Sequence, residues 1–325
     1  MIITRTPLRI SFAGGGTDLP AFYREYGGGA VCAAAIDKFI HVLVNEKFDR
    51  SIRVSYSKTE NVERPDDLQH EIFREALKLT GVHEAIEIHS IADIPGEGTG
   101  LGSSSAFTVG LLNALHAHQG RLRDPSQLAE EAARLEIEIL HGALGKQDQY
   151  ASALGGVQYI EFRPDDAVHA TPLPLSSAGR HEFSQHLSLY YTGITRKAQG
   201  ILKVQNQRNE QNKNALLAMR GLALQVRDTI MAHDWQGVGR LMDEGWQLKR
   251  TLADGITTSA IDETYARARA AGAYGGKVAG AGGGGFLLIV HPPDRVADIT
   301  SALAPMRRFP VEIVSEGSRI LTVHR

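Results

Sequence analysis

Residues 93–113 read DIPGEGTGLGSSSAFTVGLLN. Glycines alternate at positions 96, 98, 100 and 102, so the backbone there can adopt positive φ angles and approach a ligand closely. Ser103, Ser104 and Ser105 stand where a helix should begin, and serine is a favoured N-cap. A helix start carries N–H groups with no partner inside the helix, together with a partial positive charge, which makes it an anion site. Successive N–H groups of the loop can add a concave nest for phosphate. A serine hydroxyl at this point can also touch the Mg²⁺ that accompanies a nucleotide. The same composition also describes a flexible glycine turn before an ordinary capped helix.

Working outward, two other nucleotide motifs are excluded. The Gly-Lys pairs at 145–146 and 276–277 are not followed by Ser or Thr, so there is no Walker-type loop. Gly280 to Gly285 has the spacing G-x-G-x-x-G but leads into the strand-like run FLLIV, where a dinucleotide fingerprint demands a helix.

The 325 residues allow two domains and a sizeable core. A formal charge of −2 gives no electrostatic case for nucleic acid or an anionic membrane. One cysteine, Cys32, precludes an internal disulfide and fits a reducing cytoplasm. The first residues lack the apolar core of a signal peptide, and no apolar run approaches a membrane span.

Residues 2–13 alternate, with Leu8, Ile10 and Phe12 on one side and Arg9 and Ser11 on the other, as in a half-buried strand. After Gly14, Gly15 and Gly16, Asp18 precedes Pro20 as an N-cap should, predicting a short helix over 19–26. Strands are predicted at 31–35, 39–44, 52–56 and 86–90, and a helix at 68–79. A helix over 104–118 follows the glycine loop, with His116 and His118 on different faces and read as surface residues. The helix from Pro125 to about 141 carries Leu128, Ala132, Leu135 and Ile139 as its stripe, leaving Glu130, Glu131, Glu136 and Glu138 largely solvated. Asp148 reads as an N-cap in GALGKQDQYASALGG.

A strand is predicted at 157–162, and residues 163–179, rich in Pro, Ser and Asp, mark a boundary between domains 1–175 and 176–325. Then come a strand at 187–192 and a long polar helix opened by Arg196 and Lys197 and running to about 233. That pair fits a solvated helix start and a substrate-phosphate contact equally. Helices are predicted at 235–252 and 259–271, with Leu241, Trp246, Leu248 and Leu252 as core. The glycine-rich run 275–285 breaks every helical pattern before a strand, which suggests close backbone approach to a ligand. A helix near 295–303 and strands at 311–314 and 319–323 complete an α+β chain.

GLGSSSA at 100–106 resembles the phosphate loop of the GHMP kinases, whose core is P-x-x-x-G-L-G-S-S-A. Here four residues separate Pro95 from Gly100, one more than in that pattern. PLRISFAGGGTDLPAFY at 7–23 resembles the family's first motif in sugar kinases of the heptose-phosphate and fucose type. Lys277 to Gly285 resembles the third, and GKQDQY matches the family's aspartate loop. The four occur in family order.

The resemblance implies a two-domain α+β GHMP kinase fold: an N-terminal ribosomal-protein-S5-like domain with a left-handed βαβ unit, a ferredoxin-like C-terminal domain, and the site between them. It implies phosphoryl transfer from ATP, with Mg²⁺, to the anomeric hydroxyl of D-glycero-D-manno-heptose 7-phosphate. Gly98, Gly100, Leu101, Gly102, Ser103, Ser104 and Ser105 would hold the nucleotide. Ser104 and Glu136 would hold the metal, with Glu138 as a competing choice. Asp148 would accept the hydroxyl proton. Arg9, a guanidinium that keeps its proton, would act as an electrostatic partner. Gly16, Thr17, Asp18, Arg196, Gly282 and Gly283 would contact the substrate, with Lys197 and Lys38 as further cations for a distal phosphate. The implied partner is a small-molecule sugar phosphate in the cytoplasm, with no nucleic acid and no membrane, and a homodimer is allowed. Two other readings stay open: an anomeric kinase of an unphosphorylated sugar such as L-fucose or galactose, and a non-catalytic nucleotide- or sugar-binding protein.

Overall fold

The computed structural model describes residues 1–94, 98–194, 200, 204 and 208–323. Pro95 and Gly96, and the pair Arg196 and Lys197, lie outside the described residues.

The larger sheet is built on two long strands. β1 (Ile2–Ala13) pairs antiparallel along β2 (Gly29–Glu46), and its register shifts between Pro7 and Leu8, where proline can give no N–H to the ladder. β1 is buried on both faces over its last eight residues, so Arg9 is a core residue and not a solvated charge. The two short strands expected at 31–35 and 39–44 are one strand, β2. Its first part pairs with β6 (Val157–Phe162) and its last part with β5 (Ile86–Ala92).

Between β2 and β5 come β3 (Ile52–Ser55), β4 (Thr59–Val62) and α2 (Glu71–Thr80), with α1 (Pro20–Tyr23) lying before β2. β7 (Val168–Pro172) pairs with β6, inside the stretch expected to mark the domain boundary. β12 (Arg319–Val323) returns to pair with β1, giving the order β12-β1-β2-β5-β3-β4.

α3 (Ser103–His118) packs on this sheet. Thirteen of its 16 residues are buried, which fits a helix apolar nearly all round. Gly110 lets it touch: a Cβ there would lie 2.7 Å from the Thr6 hydroxyl, and the Thr4 hydroxyl donates to the Gly110 carbonyl at 2.9 Å. His116, expected on the surface, is buried and bonded to Glu131 at 2.6 Å. Proline at its first position and a capping box from Asp124 and Gln127 begin α4 (Pro125–Ala133). It passes into a π-helical turn, Arg134–Ile139, and α5 (Gln147–Leu154) follows.

The second sheet has the order β11-β8-β10-β9, all antiparallel: β8 (Leu187–Tyr191), β9 (Gly275–Val278), β10 (Phe286–Val290) and β11 (Arg308–Pro310). α6 (Ser177–Gln185), α7 (Asn209–Met231), α8 (Trp235–Lys249), α9 (Ser259–Ala270) and α10 (Val296–Ala302) complete this half; α7 packs against α8 and reaches across to β1, β2 and β6 of the larger sheet. The glycine run opens as β9 itself, not as a break. Residues 311–314 contribute an isolated bridge, Ile36 to Ile313, rather than a strand. Among the described residues no helix is long and apolar enough to cross a membrane.

Candidate active site

The phosphate-loop candidate turns at Gly98, Gly100 and Gly102, with φ of 73°, 77° and 74°. The N-cap of α3 is Gly102 and not a serine. Four successive carbonyls of this loop are occupied by protein donors. Thr99 accepts from the Phe286 N–H at 3.3 Å, Leu101 from the Arg9 N–H at 3.0 Å, and Gly102 from the Ala106 N–H at 2.9 Å. Gly100 accepts from Arg9 Nη1 at 2.7 Å. With its acceptors engaged internally, the loop offers an approaching anion its N–H groups and the open start of α3.

Arg9 uses its other two nitrogens on one carboxylate. Nε donates to Asp148 Oδ1 and Nη2 to Asp148 Oδ2, each at 2.7 Å. This fork geometry fixes orientation as well as charge. Arg9 is 3% exposed, while the Asp148 side chain keeps 22% of its surface open. Asp148 lies in the first turn of α5, whose N-cap is Lys146, so its carboxylate is free of the capping role. A Cβ at Gly102 would sit 3.3 Å from Asp148 Oδ2, which puts the phosphate loop directly against this pair.

Asp18 is not the N-cap of α1. Its Oδ1 accepts the Gly16 N–H at 2.8 Å, and its Oδ2 the Gln147 N–H at 3.4 Å. Gly145 is glycine because a Cβ there would run into this carboxylate. The GKQDQY loop thus docks on the GGGTD loop and brings Asp18 beside Asp148. Burial pushes the Asp18 carboxyl up, and the Asp148 charge adds to that, against the hydrogen bonds from Gly16 and Gln147. Thr17 is fully buried, donating to the Gly14 and Ala30 carbonyls and accepting the Ala30 N–H. Its hydroxyl is engaged inside the turn. Ser11 Oγ and Gln147 Oε1, on either side of Gly15, are buried with no hydrogen-bond partner.

Glu136 lies in the π-helical turn, where the Leu140 N–H reaches back five residues to the Leu135 carbonyl. It is 3% exposed, against the solvated glutamate expected. Ser104 donates to Oε1 at 2.8 Å and Gln149 to Oε2 at 2.7 Å, with Ser105 a further partner. Burial pushes its carboxyl up. Glu138 is exposed and makes no bond to Ser104, so the π turn separates the two candidates. Ser103 is buried against Thr99, hydroxyl to hydroxyl at 3.3 Å. The described residues hold no cluster of three acidic, His or Cys ligands. A carboxylate with a neighbouring hydroxyl, both hard oxygen donors, suits Mg²⁺, which takes few protein ligands and completes its shell with water and phosphate.

The hairpin β9–β10 carries the second glycine loop, residues 279–285. A Cβ on Gly100 would press into the Ala279 carbonyl, and one on Gly280 would lie 2.6 Å from Gly100 Cα, so the two loops touch backbone to backbone. Gly282 and Gly283 turn instead to Ile256, whose carbonyl accepts the Gly283 N–H at 2.8 Å. Lys38 is paired with Asp37 at 2.9 Å.

Two buried lysines had no role assigned from the sequence, although Lys277 opens the third motif. Lys249, the last residue of α8, is 6% exposed and donates to the Gly280 carbonyl. Lys277 on β9 is 5% exposed, its ammonium 3.4 Å from the Phe12 carbonyl. Burial pushes Lys249 down to about 8; the Arg9 charge pushes the same way, while Asp18 and Asp148 oppose it. Burial also lowers Lys277, followed by the charges of Lys249 and Arg9. The signal for Lys249 was its position: it continues the buried stripe of Met242 and Trp246 at helical spacing.

Family models match both parts of the chain: "GHMP kinases N terminal domain" over residues 68–156 and "GHMP kinases C terminal" over 226–306. The D-glycero-alpha-D-manno-heptose 7-phosphate kinase of Campylobacter jejuni is 29% identical over 316 residues, covering 93% of each chain. The L-fucokinase/L-fucose-1-P guanylyltransferase of Bacteroides fragilis is 30% identical over 90% of this chain, which spans 35% of that longer protein. The crystal structure of a D-glycero-D-manno-heptose 1-phosphate kinase from Bacteroides thetaiotaomicron superposes with a TM-score of 0.81 over all of both chains at 23% identity. With both domain models matched in order, and a two-domain α+β fold shared with solved relatives, the chain belongs to the GHMP kinase family.

Proposed function

We propose that the chain is an ATP- and Mg²⁺-dependent sugar kinase acting on the anomeric hydroxyl of D-glycero-D-manno-heptose 7-phosphate. The product is the 1,7-bisphosphate, for nucleotide-activated heptose used in surface polysaccharide. The observation that carries the chemistry is the Arg9–Asp148 pair, set against Gly100 and Gly102 of the phosphate loop. The substrate assignment is supported by the Campylobacter relative, matched over nearly its whole length.

Phosphoryl transfer asks mainly for positioning and charge stabilisation. The N–H groups of residues 98–105 and the start of α3 hold the ATP phosphates. Ser104 and Glu136 would hold Mg²⁺, which would supply charge to offset the phosphate oxygens. Glu136 is held for that task by Gln149 and by its place in the π turn. Asp148, partly open and oriented by two bonds from Arg9, accepts the proton of the attacking hydroxyl. Arg9 also holds the Gly100 carbonyl, so base and phosphate loop share one anchor. Asp18, kept as an acceptor by backbone N–H groups, receives sugar hydroxyls. The unpartnered Ser11 and Gln147 oxygens offer further acceptors to a polyhydroxylated ligand. Thr17, Gly16, Gly282 and Gly283 serve by shaping the loops on either side.

The test is ADP release with Mg-ATP against heptose 7-phosphate, mannose 6-phosphate, L-fucose, galactose and mevalonate. Turnover confined to the sugar phosphates is the expected result. Preference for L-fucose or galactose keeps the chemistry and replaces the substrate. Silence on every acceptor, with ATP bound, favours a binding protein.

A further inference from the structure

The bond from Lys249 to Gly280 stands out once the charges around it are counted. Its ammonium is nine-tenths buried, and the charged groups that face it are Arg9 on β1, Asp18 on the loop after β1, Asp148 on α5 and Lys277 on β9. Burying an ammonium is costly unless it is paired. At this place on α8 an apolar side chain would simply extend the stripe of Met242 and Trp246, both fully buried. The residue present instead carries a charge to one backbone carbonyl. That carbonyl belongs to the glycine whose absent Cβ lets it abut Gly100. The Gly100 carbonyl is in turn held by Arg9, and Arg9 grips Asp148. One continuous chain of contacts therefore runs from the C-terminal half to the catalytic carboxylate.

We propose that Lys249 is a positioning residue for phosphoryl transfer: it latches the 279–285 loop onto the phosphate loop at Gly100 and so keeps the Arg9–Asp148 pair in register. The proposal rests on the reading of Asp148 as the proton acceptor. The latch acts through geometry and touches neither the sugar nor the nucleotide. A misplacement of reacting groups by about 1 Å can cost on the order of 100-fold in rate, so a loosened latch should appear in kcat. It should also have a pH signature. The ammonium is charged below about 8 and neutral above it, so the latch weakens as the solution becomes alkaline.

The experiment compares the intact wild-type protein with Lys249→Met and Lys249→Arg. Methionine keeps the length and suits the apolar surroundings; arginine keeps the charge. Steady-state ADP release with Mg-ATP and heptose 7-phosphate should show kcat down roughly 10–100-fold in Lys249→Met, with KM for the sugar within about threefold of wild type. The alkaline limb near pH 8 should vanish from the methionine variant. Arginine should recover most of kcat and move that limb beyond the measured range. Hydrogen–deuterium exchange of peptides covering residues 98–102 and 279–285 supplies a readout that needs no substrate. Both should exchange faster in Lys249→Met and at the wild-type rate in Lys249→Arg. Unchanged exchange in the methionine variant overturns the latch whatever the acceptor is. So does a kcat within threefold of wild type, or a loss of kcat that arginine does not rescue. A wild-type protein silent on every acceptor, whose two loops still loosen together in Lys249→Met, sinks the proposed function and keeps the latch.

Discussion

The molecule has two glycine loops that meet, and they are built for opposite tasks. Residues 98–102 lead into a helix, with the carbonyls of Thr99, Gly100, Leu101 and Gly102 tied back to protein donors and the helix start open. Residues 279–285 lead from one strand into the next, and three of their N–H groups are spent on the protein itself: Ala279 on Phe286, Gly283 on Ile256, Gly285 on Ile194. Both use positive φ and both lack Cβ atoms where the backbones touch. What separates them is what they lead into, a helix start in one case and a strand in the other, and how far their N–H groups are tied to the protein. A loop that opens a helix with free N–H groups suits an anion; a loop tied through several of its N–H groups to Phe286, Ile256 and Ile194 suits bracing its neighbour.

The largest effect expected from this contrast comes from removing the chemistry while leaving both loops intact. Asp148→Asn keeps size and shape, and its amide oxygen can still accept one of the two Arg9 bonds. General-base catalysis is worth roughly 10²–10⁴-fold, and kcat should fall by that much with ATP binding within about threefold of wild type. Steady-state rates and nucleotide titration check it, and near-normal turnover removes Asp148 from the mechanism.

Alanine substitutions in the two loops sharpen the contrast itself. Gly100→Ala and Gly282→Ala both place a side chain at positive φ, a strain of roughly 1–2 kcal/mol. Their collisions differ. At Gly100 the Cβ meets Ala279 and Gly280 across the loop contact; at Gly282 it meets Ile256, 2.7 Å from its carbonyl oxygen. Gly100→Ala should raise KM for ATP about tenfold or more. Gly282→Ala should lower Tm and kcat with the ATP KM nearly unchanged. Gly193, at φ 76° with nothing within 4 Å of an added Cβ, supplies the control for strain alone. Equal ATP defects in Gly100→Ala and Gly282→Ala would erase the distinction between a binding loop and a bracing loop.

A smaller effect is expected one step behind the metal candidate. Gln149 donates to Glu136 Oε2 and has no other role visible in the site. Groups that orient a metal ligand typically carry 10–100-fold in metal affinity, so Gln149→Met should raise the Mg²⁺ concentration for half-maximal rate by about tenfold. At saturating Mg²⁺ the rate should return to within a few-fold of wild type. A Mg²⁺ dependence that does not move excludes Glu136 from the metal site.

How much of this could be read from residues alone follows the same physics. Of the candidate site, the residues alone offered the phosphate loop as an anion site, beside a plain glycine turn. Asp148 read as an N-cap and Arg9 as a charge on the open side of a strand, and the roles proposed for both came from the resemblance to the GHMP kinases. Glu136 was read from residues as a solvated charge, because straight α-helical periodicity put it off the apolar stripe; the π turn moved it inward. Asp18 looked like a cap because its real partners, Gly16 and Gln147, lie on two separate loops. Lys249 was passed over for a related reason. A lysine in an apolar stripe has no meaning until the facing wall, here Gly280 and Arg9, is known. The fold class followed from strands and helices mixed in both halves, but β2 was divided because Asp37 and Lys38 interrupt its apolar run. The strand passes through them with both side chains half-buried and paired to one another.

Asp18 offers the smallest and most specific prediction, because its carboxylate is held by backbone N–H groups and has no bonded cation. In the unfolded chain it is an ordinary carboxyl with a value near 3.8, and burial raises it in the folded protein. Between those two values the folded state holds the proton more tightly. Its favourable contribution is therefore complete below the unfolded value and is lost as pH rises through the folded one. Asparagine has no such loss. Asp18→Asn should thus gain in Tm relative to wild type as pH rises from 4, then level off at a constant offset, about 2 °C for each kcal/mol recovered. The same substitution removes an ionised acceptor from the sugar side, so KM for the sugar should rise while KM for ATP stays. A gap in Tm that is flat from pH 4 to 8 would show that burial imposes no cost on this carboxylate. Asp18 would then be a structural tie between the GGGTD and GKQDQY loops, and the sugar KM, not the stability, would have to carry its assignment to the substrate.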